Sequence, residues 1–341
     1  MKKNFFRKKS FFDFHNDGKL IICDQKLDFF PLVNQNCDQL QYVILMAILN
    51  CFYRDLIIND LKSMLIKIEK NNQSIDLILS EILNFICRKG YKIGNLTIHM
   101  SLQKPKLCQK NINYKIRIQD NLCNLLNLKN DQIVVQAGTG EKIGDVGNCK
   151  VVIFIVNVSL VKKDDKINEL VGFGYDRHRF FNQAKVEIEK KLIICGQKID
   201  YCKNIDAHSD GDIVFHAIAN AIFSAIGEGD IGDHFPDVDA KWKNAKSIQF
   251  IEYTLDMMKN KSLRVKSIKV EIVSSLKFQN VLKKVNFLQK AQEDLMKILN
   301  IRRKKECYIK LSLASKKKLN CDERCIKNDE GIEANVKMIL I

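Results

Sequence analysis

Apolar residues recur along the chain with two different periods. In the stretch that starts at Ile213 they fall at Ile213, Ala217, Ala221 and Ile222, the spacing that keeps side chains on one face of a helix. Ser209 or Asp210, just upstream, offers the N-cap. The same period predicts helices over 245–259 and 285–299, and shorter β-branched runs predict strands at 192–195, 267–273, 307–313 and 333–341. The run VVIFIVNVSLV at 151–161 is apolar at nearly every position, as expected of a strand covered on both faces. Strands alternating with helices predict the α/β (α+β layered) class, a mixed sheet packed with helices.

The pattern occurs twice. LIICDQKLD at 20–28 and LIICGQKID at 192–200 share seven of nine positions. Asp13-Phe14-His15 matches Asp176-Arg177-His178, so the second copy carries extra residues within 180–191. NNQSIDLI at 71–78 parallels KNAKSIQFI at 243–251, and GYKIGNLTI at 90–98 parallels SLRVKSIKV at 262–270. A repeat of this length is a duplicated domain rather than a solenoid unit. The expected domains are 11–160 and 168–341, joined by a charged stretch at 162–166.

Composition narrows the class. The chain has 341 residues and is 46% hydrophobic, with only 15 Gly and 3 Pro, which excludes disordered and collagen-like chains. Its apolar runs are far shorter than the roughly 18–20 residues that span a bilayer. No cleavable signal is readable at the start, so a cytoplasmic protein with no membrane partner is expected. Twelve Cys without a CxxC pair read as reduced, structural thiols. The net charge of +16, dense at 302–305 and 316–318, fits a lysine-rich solvated face or attraction of an anionic substrate. No nucleic-acid module accompanies it, so nucleic acid is not the expected partner.

Candidate chemistry concentrates in the second copy. Of six His, four lie between 178 and 234. Asp176 and His178, two apart, share one face of an extended segment. His216 follows Asp212 by one helical turn, and His208 precedes the helix. Singly, each His reads as a hydrogen-bonded structural residue. Together, two imidazoles and a carboxylate leave one position open, as in a catalytic zinc site. Downstream, GDIGDHFPDVD at 229–239 places Gly turns and four Asp where carboxylates and amides can hold a hydroxylated substrate and a second cation.

GFGYDRH, LIICGQKI, AHSDGDxxxH and GDIGDHFPD, in order across 171–239, resemble the 2-C-methyl-D-erythritol 2,4-cyclodiphosphate synthase family. The resemblance fades further downstream. It implies a small α/β domain that assembles as a trimer, with the site between neighbouring domains. It implies Zn²⁺ or another divalent cation on Asp176, His178 and His216. It places His208 and Ser209 on the substrate phosphate, and Asp230, Ile231, Gly232, Phe235, Pro236, Asp237 and Asp239 on the erythritol. SLQKPKL at 101–107 and AGTGEKIG at 137–144 resemble the family's nucleotide side. There Pro105 and Lys106 would bind the base, Thr139 would be the catalytic-type threonine beside His208, and Glu141 would hold a second Mg²⁺ or Mn²⁺. Asp145 and Asn148 replace the Phe and Arg usual after that segment.

The two copies have lost opposite things. In the first, Gln35 stands where His208 stands, Val43 where His216 stands, and LIINDLKSML at 56–65 replaces the acidic loop. In the second, SSLKF at 274–278 lacks the proline turn, and ASKKK at 314–318 replaces Thr-Thr-Glu. The losses are complementary, as in divided labour after duplication. The resemblance then implies a nucleotide-diphosphate substrate cyclised with release of CMP. Three-domain rings imply a homo-oligomer: a trimer of chains with at most two competent sites. The competing expectations are a catalytically inactive scaffolding or regulatory partner of a separate synthase, and a basic nucleic-acid-binding protein on an old enzyme fold.

Overall fold

The computed structural model describes residues 4–13, 19–22, 25–31, 41, 44, 47, 48, 75–104, 106–109, 112–165, 168–182, 192–205, 207–236, 238–301, 308–314 and 330–341. They pack as two units. One is Met1–Ala137 with Cys149–Asn168, and the other is Gly138–Asn148 with Glu169–Ile341.

In the first unit the chain runs through β1 (Asn4–Asp13), β2 (Lys19–Ile22), β3 (Gln25–Pro31), α1 (Ile75–Arg88), β4 (Tyr91–Ser101), β5 (Cys108–Gln109), β6 (Ile112–Asn113), α2 (Tyr114–Leu126), β7 (Ile133–Gly138) and β8 (Val151–Lys162). Its sheet has the order β1-β8-β4-β7. Every residue of β8 before Lys162 is buried, which agrees with its near-continuous apolar sequence. The even positions Val152, Phe154, Val156 and Val158 join a core with Ile78, Leu79, Ile82, Phe85 and Ile86 of α1. Those α1 positions recur at helical spacing, so one stripe of the helix covers one sheet face. In α2, the Asn113 side chain caps the first turn by accepting from Lys115 N and Ile116 N, and left-handed Asn127 ends the helix.

The second unit takes in the short helix α3 (Gly144–Gly147) and continues through β9 (Leu170–Asn182), β10 (Leu192–Ile194), β11 (Gln197–Ile199), β12 (Lys203–Ile205), α4 (Ile213–Ile226), α5 (Ile231–His234), α6 (Ser247–Asn260), β13 (Val265–Val273), α7 (Leu276–Lys284), α8 (Phe287–Ile298), β14 (Tyr308–Ala314) and β15 (Gly331–Leu340). Its sheet order is β12-β9-β15-β13-β14. Apart from the added edge strand β12, this repeats the first unit's order, with β9, β15, β13 and β14 in the places of β1, β8, β4 and β7. The β13–β14 pair is parallel and the others antiparallel, a mixed sheet under helices. The duplicated LIIC segments fold alike: Ile22 pairs with Gln25 and Ile194 with Gln197. In the second hairpin Cys195 and Gly196 both take positive φ, as a two-residue turn between strands requires.

Two glycines bring the main helix onto the sheet. A Cβ on Gly172 would lie 1.8 Å from Ala221 O, and one on Gly174 would lie 1.9 Å from Ala217 O. Only glycine lets α4 sit this close to β9, and every residue of α4 is buried.

Three expectations about elements change. The cap of α4 is Asp212, whose side chain accepts from Val214 N and Phe215 N, because the helix starts later than Ser209 and Asp210 imply. The helix expected over 285–299 is α8, preceded by α7, and the break falls at left-handed Asn286. The segment at 274–278 is the start of α7, capped by Ser275.

Candidate metal centre

Asp176 and His178 project from the same face of β9, two residues apart. His216 comes from α4, one turn after its Asp212 cap. The glycine-mediated approach of α4 to β9 brings the three together. His216 Nδ1 is 3.0 Å from Asp176 Oδ2 and 3.2 Å from His178 Nε2, and His178 Nε2 is 3.2 Å from Asp176 Oδ2. Three lone-pair atoms therefore converge as a nearly equilateral triangle. Tetrahedral ligands at zinc distances are separated by about 3.3 Å, so the set fits a small divalent cation with one position left open. This is also the only group of three or more potential metal ligands among the described residues.

The surroundings match. His178 Nδ1 is buried and has no hydrogen-bond partner among the described residues. Burial works to raise the Asp176 carboxyl, but His178 and His216 outweigh it and hold the group well below the usual carboxylate range. Burial works to lower His178, yet Asp176, and then the charges of Glu141 and Asp212, raise it. On the opposite face of β9, Arg177 is paired with Glu333 of β15 in direct cross-strand register. Both are buried, and Arg177 Nε donates to Glu333 Oε1 at 3.0 Å.

A second buried carboxylate ties the local elements together. Asp212 accepts from Cys195 N (2.8 Å), Gly196 N (2.5 Å), Val214 N (3.1 Å) and Phe215 N (3.2 Å). It thereby clamps the hairpin turn to the start of α4. Burial pushes its carboxyl up to about 6 although these backbone donors favour the charged form.

The other expected residues divide into accessible and structural groups. His208 is exposed. Ser209, expected on a substrate phosphate, is buried, and its Oγ lies 3.0 Å from His216 Nε2. Asp230 is also buried and spends its carboxylate capping α5, accepting from Gly232 N and Asp233 N. Phe235 is buried and packs edge-on or tilted in an aromatic cluster with Trp242, Phe250 and Tyr253. Ile231, Gly232, Pro236 and Asp239 keep accessible surface. Lys106 is exposed, while Pro105 and Asp237 lie outside the described residues, as do His15, Gln35, Val43 and the segments 56–65 and 315–318.

The turn that carries Thr139 and Glu141 belongs to the same compact unit as the triangle. The exposed Thr139 hydroxyl donates to Glu141 Oε1, and Glu141 N donates back to Thr139 Oγ1 at 3.3 Å. Glu141 and Lys142 both take positive φ, a costly conformation for such residues. A Cβ on Gly147 would lie 2.2 Å from the Lys142 carbonyl carbon, so the turn is closed tightly on itself. A Cβ on Gly331 would meet His178 O at 2.5 Å and Ile143 Cδ1 at 2.8 Å, which places this turn against the strand of the ligands.

Sequence reasoning missed Ser247 and the use made of Asp210. Ser247 Oγ lies 3.0 Å from His216 Nε2 and donates to Asp210 Oδ1. The Ser-Ile pair shared by both copies at 74–75 and 247–248 was the available signal.

The α/β unit brings a half-buried carboxylate and two imidazoles to one point, a set that could hold a metal ion. The chain belongs to the YgbB family, whose model matches residues 10–161 and again residues 170–340. A 2-C-methyl-D-erythritol 2,4-cyclodiphosphate synthase of Ehrlichia ruminantium is 53% identical over 81 residues, which are 24% of this chain and 47% of that protein. One from Brachyspira hyodysenteriae is 36% identical over 129 residues, 38% of this chain and 75% of its own length. A bifunctional enzyme IspD/IspF of Wolbachia pipientis is 42% identical over 103 residues, 30% of this chain and 26% of that protein. The chain thus spans about half the length of the Ehrlichia relatives it matches. A solved structure of 2C-methyl-D-erythritol-2,4-cyclodiphosphate synthase aligns with a TM-score of 0.40 and 24% identity, covering 50% of this chain and 99% of its own.

Proposed function

We propose that the chain converts 4-diphosphocytidyl-2-C-methyl-D-erythritol 2-phosphate to 2-C-methyl-D-erythritol 2,4-cyclodiphosphate with release of CMP. The observation that carries this reading is the triangle of Asp176, His178 and His216, whose three donor atoms lie 3.0–3.2 Å apart. In the reaction an oxygen of the 2-phosphate attacks the β-phosphorus. The bond from that phosphorus to the bridging oxygen breaks, and CMP leaves with the electron pair.

Both reacting groups are anionic, so positioning and charge neutralisation dominate the barrier. Zinc held by Asp176, His178 and His216 supplies Lewis-acid stabilisation of the phosphoryl oxygens when bound. Asp176 is kept ionised by its two imidazole neighbours and so holds negative charge ready for the cation. His208, exposed beside the centre's turn, and the Thr139 hydroxyl donate hydrogen bonds to phosphate oxygens. Glu141 would hold a Mg²⁺ or Mn²⁺, which would neutralise negative charge on the substrate. Ile231, Gly232, Pro236 and Asp239 orient the erythritol, and Lys106 with Pro105 holds the base. The burial of Ser209, Asp230 and Phe235 supports a role in shaping the site instead. In assembly, the chain forms a cytoplasmic trimer, six domains in two rings.

The test is CMP release from the purified protein with Zn²⁺ and Mg²⁺ present. Metal-dependent release supports the proposal. Metal binding without any CMP release favours the second reading, an inactive partner of a separate synthase, to which the ASKKK segment at 314–318 lends weight.

A further inference from the structure

We infer that Ser247 and Asp210 form a hydrogen-bond relay that fixes the tautomer of His216 and thereby sets how tightly the centre holds its metal. The inference rests on the reading of Asp176, His178 and His216 as a metal site.

His216 turns Nδ1 toward Asp176 and His178. Its other nitrogen, Nε2, lies 3.0 Å from both Ser209 Oγ and Ser247 Oγ. Either hydroxyl could donate to or accept from an imidazole. The direction is decided one step further out. Ser247 Oγ donates to Asp210 Oδ1, and an ionised carboxylate can only accept. The serine proton is therefore committed to Asp210, and Ser247 shows His216 only lone pairs. Nε2 must then carry the imidazole proton, which leaves the lone pair on Nδ1 aimed at the point where the three ligand atoms converge.

The relay is built rigidly. Asp210 Oδ2 accepts from Ser247 N at 3.1 Å, and Asp210 Oδ1 also accepts from Asp212 N at 3.2 Å. Asp210 N donates to Ala245 O at 3.0 Å, and Asn244 N donates to His208 O at 2.7 Å. These bonds zip the segment before α4 to the segment before α6. Ser247 is fully buried, so water does not compete for its hydroxyl. Ser209 supplies a second oxygen, whose Oγ accepts from Gly211 N at 3.2 Å and lies 3.5 Å from Ser247 Oγ. In the register that sets Gln35 opposite His208 and Val43 opposite His216, Cys37 stands opposite Asp210 and Ser74 opposite Ser247. The copy without the metal ligand keeps the serine but lacks the carboxylate that gives it a direction.

The test is a Zn²⁺ titration against a competing chelator, with the visible absorption of the Co²⁺-loaded protein as a second readout. Urea unfolding of the metal-free proteins serves as a control for folding. Ser247→Ala and Asp210→Asn should each weaken Zn²⁺ binding about 10- to 100-fold, the usual range for partners of ligating histidines. The double variant should be no weaker than the poorer single, because the two act in series. Ser247→Thr, which keeps the hydroxyl, should restore affinity and the Co²⁺ spectrum. Unchanged affinity in Ser247→Ala, or full additivity in the double variant, would overturn the relay. If His216→Ala also kept full affinity, the metal reading itself would have failed, which separates the two claims.

Discussion

The two copies share a strand order and a hairpin, but they treat the strand that starts each copy differently. In the C-terminal copy, β9 carries Asp176 and His178 on one face and a buried Arg177–Glu333 pair on the other. In the N-terminal copy the corresponding triplet is Asp13-Phe14-His15, and Val43 replaces the helix ligand. Keeping a metal site thus takes more than a DxH triplet. It takes a helix pressed onto the strand through Gly172 and Gly174, a third ligand on that helix, and a strand held in register from behind. The N-terminal copy keeps the triplet, but Lys9 and Phe11 stand where the C-terminal copy has Gly172 and Gly174. Its Thr139–Glu141 turn belongs to the C-terminal unit.

The largest expected effect tests the back of β9. Glu333→Ala leaves a buried guanidinium without its charge partner and should cost about 3–5 kcal/mol, read as a lowered urea midpoint. Arg177→Met with Glu333→Leu removes both charges and should be nearly neutral, as buried pairs replaced by apolar groups often are. A mild Glu333→Ala phenotype would mean that the pair does not buttress the strand.

Next in size, Thr139→Ala and Glu141→Ala should each lower CMP release about a hundredfold, the scale of a lost transition-state donor. Lys316→Ala with Lys317→Ala, at the matching place in the second copy, should keep most of the rate. The reverse result would move the nucleotide side into the C-terminal copy and end the division of labour.

The smallest effect is a pH dependence at Asp212, opposite which the first copy has Gln39. The folded carboxyl sits at about 6, raised from 3.8, so the folded state holds this proton more tightly than the unfolded chain. Its stabilising contribution is complete below about pH 4 and is lost as the pH rises through about 6, on the order of 1–3 kcal/mol. Asp212→Asn retains a capping side chain and should flatten the stability profile across that window relative to the unmutated protein. An identical profile in both would show that Asp212 does not titrate there.

Much of this was legible in the sequence. The repeat and the alternation of strands and helices followed from spacing, and DxH fixed one face of an extended segment, while the choice of Asp176, His178 and His216 as the three ligands came from the family resemblance. The cap of α4 was misread because Ser209, Asp210 and Asp212 are all good capping residues, and only the helix start selects among them. Helix α7 was missed because 274–278 read as a turn that had lost its proline, although Phe278 and Leu282, four apart, lie on one helical face. The extended segment around Asp176 and His178 was legible, but the full length of β9 was not, because Gly172 and Gly174 are poor strand formers kept for the approach of α4. The burial of Ser209 and Asp230 was not legible because both are polar, and what removes them from solvent is contact with His216 and the turn of α5.

The central claim is that one copy alone holds the metal. Elemental analysis of the purified chain tests it most directly, in the unmutated protein and in His216→Ala and His15→Ala. The account predicts one zinc per chain, lost in His216→Ala and retained in His15→Ala. Two zincs per chain, or loss of zinc in His15→Ala, would contradict it.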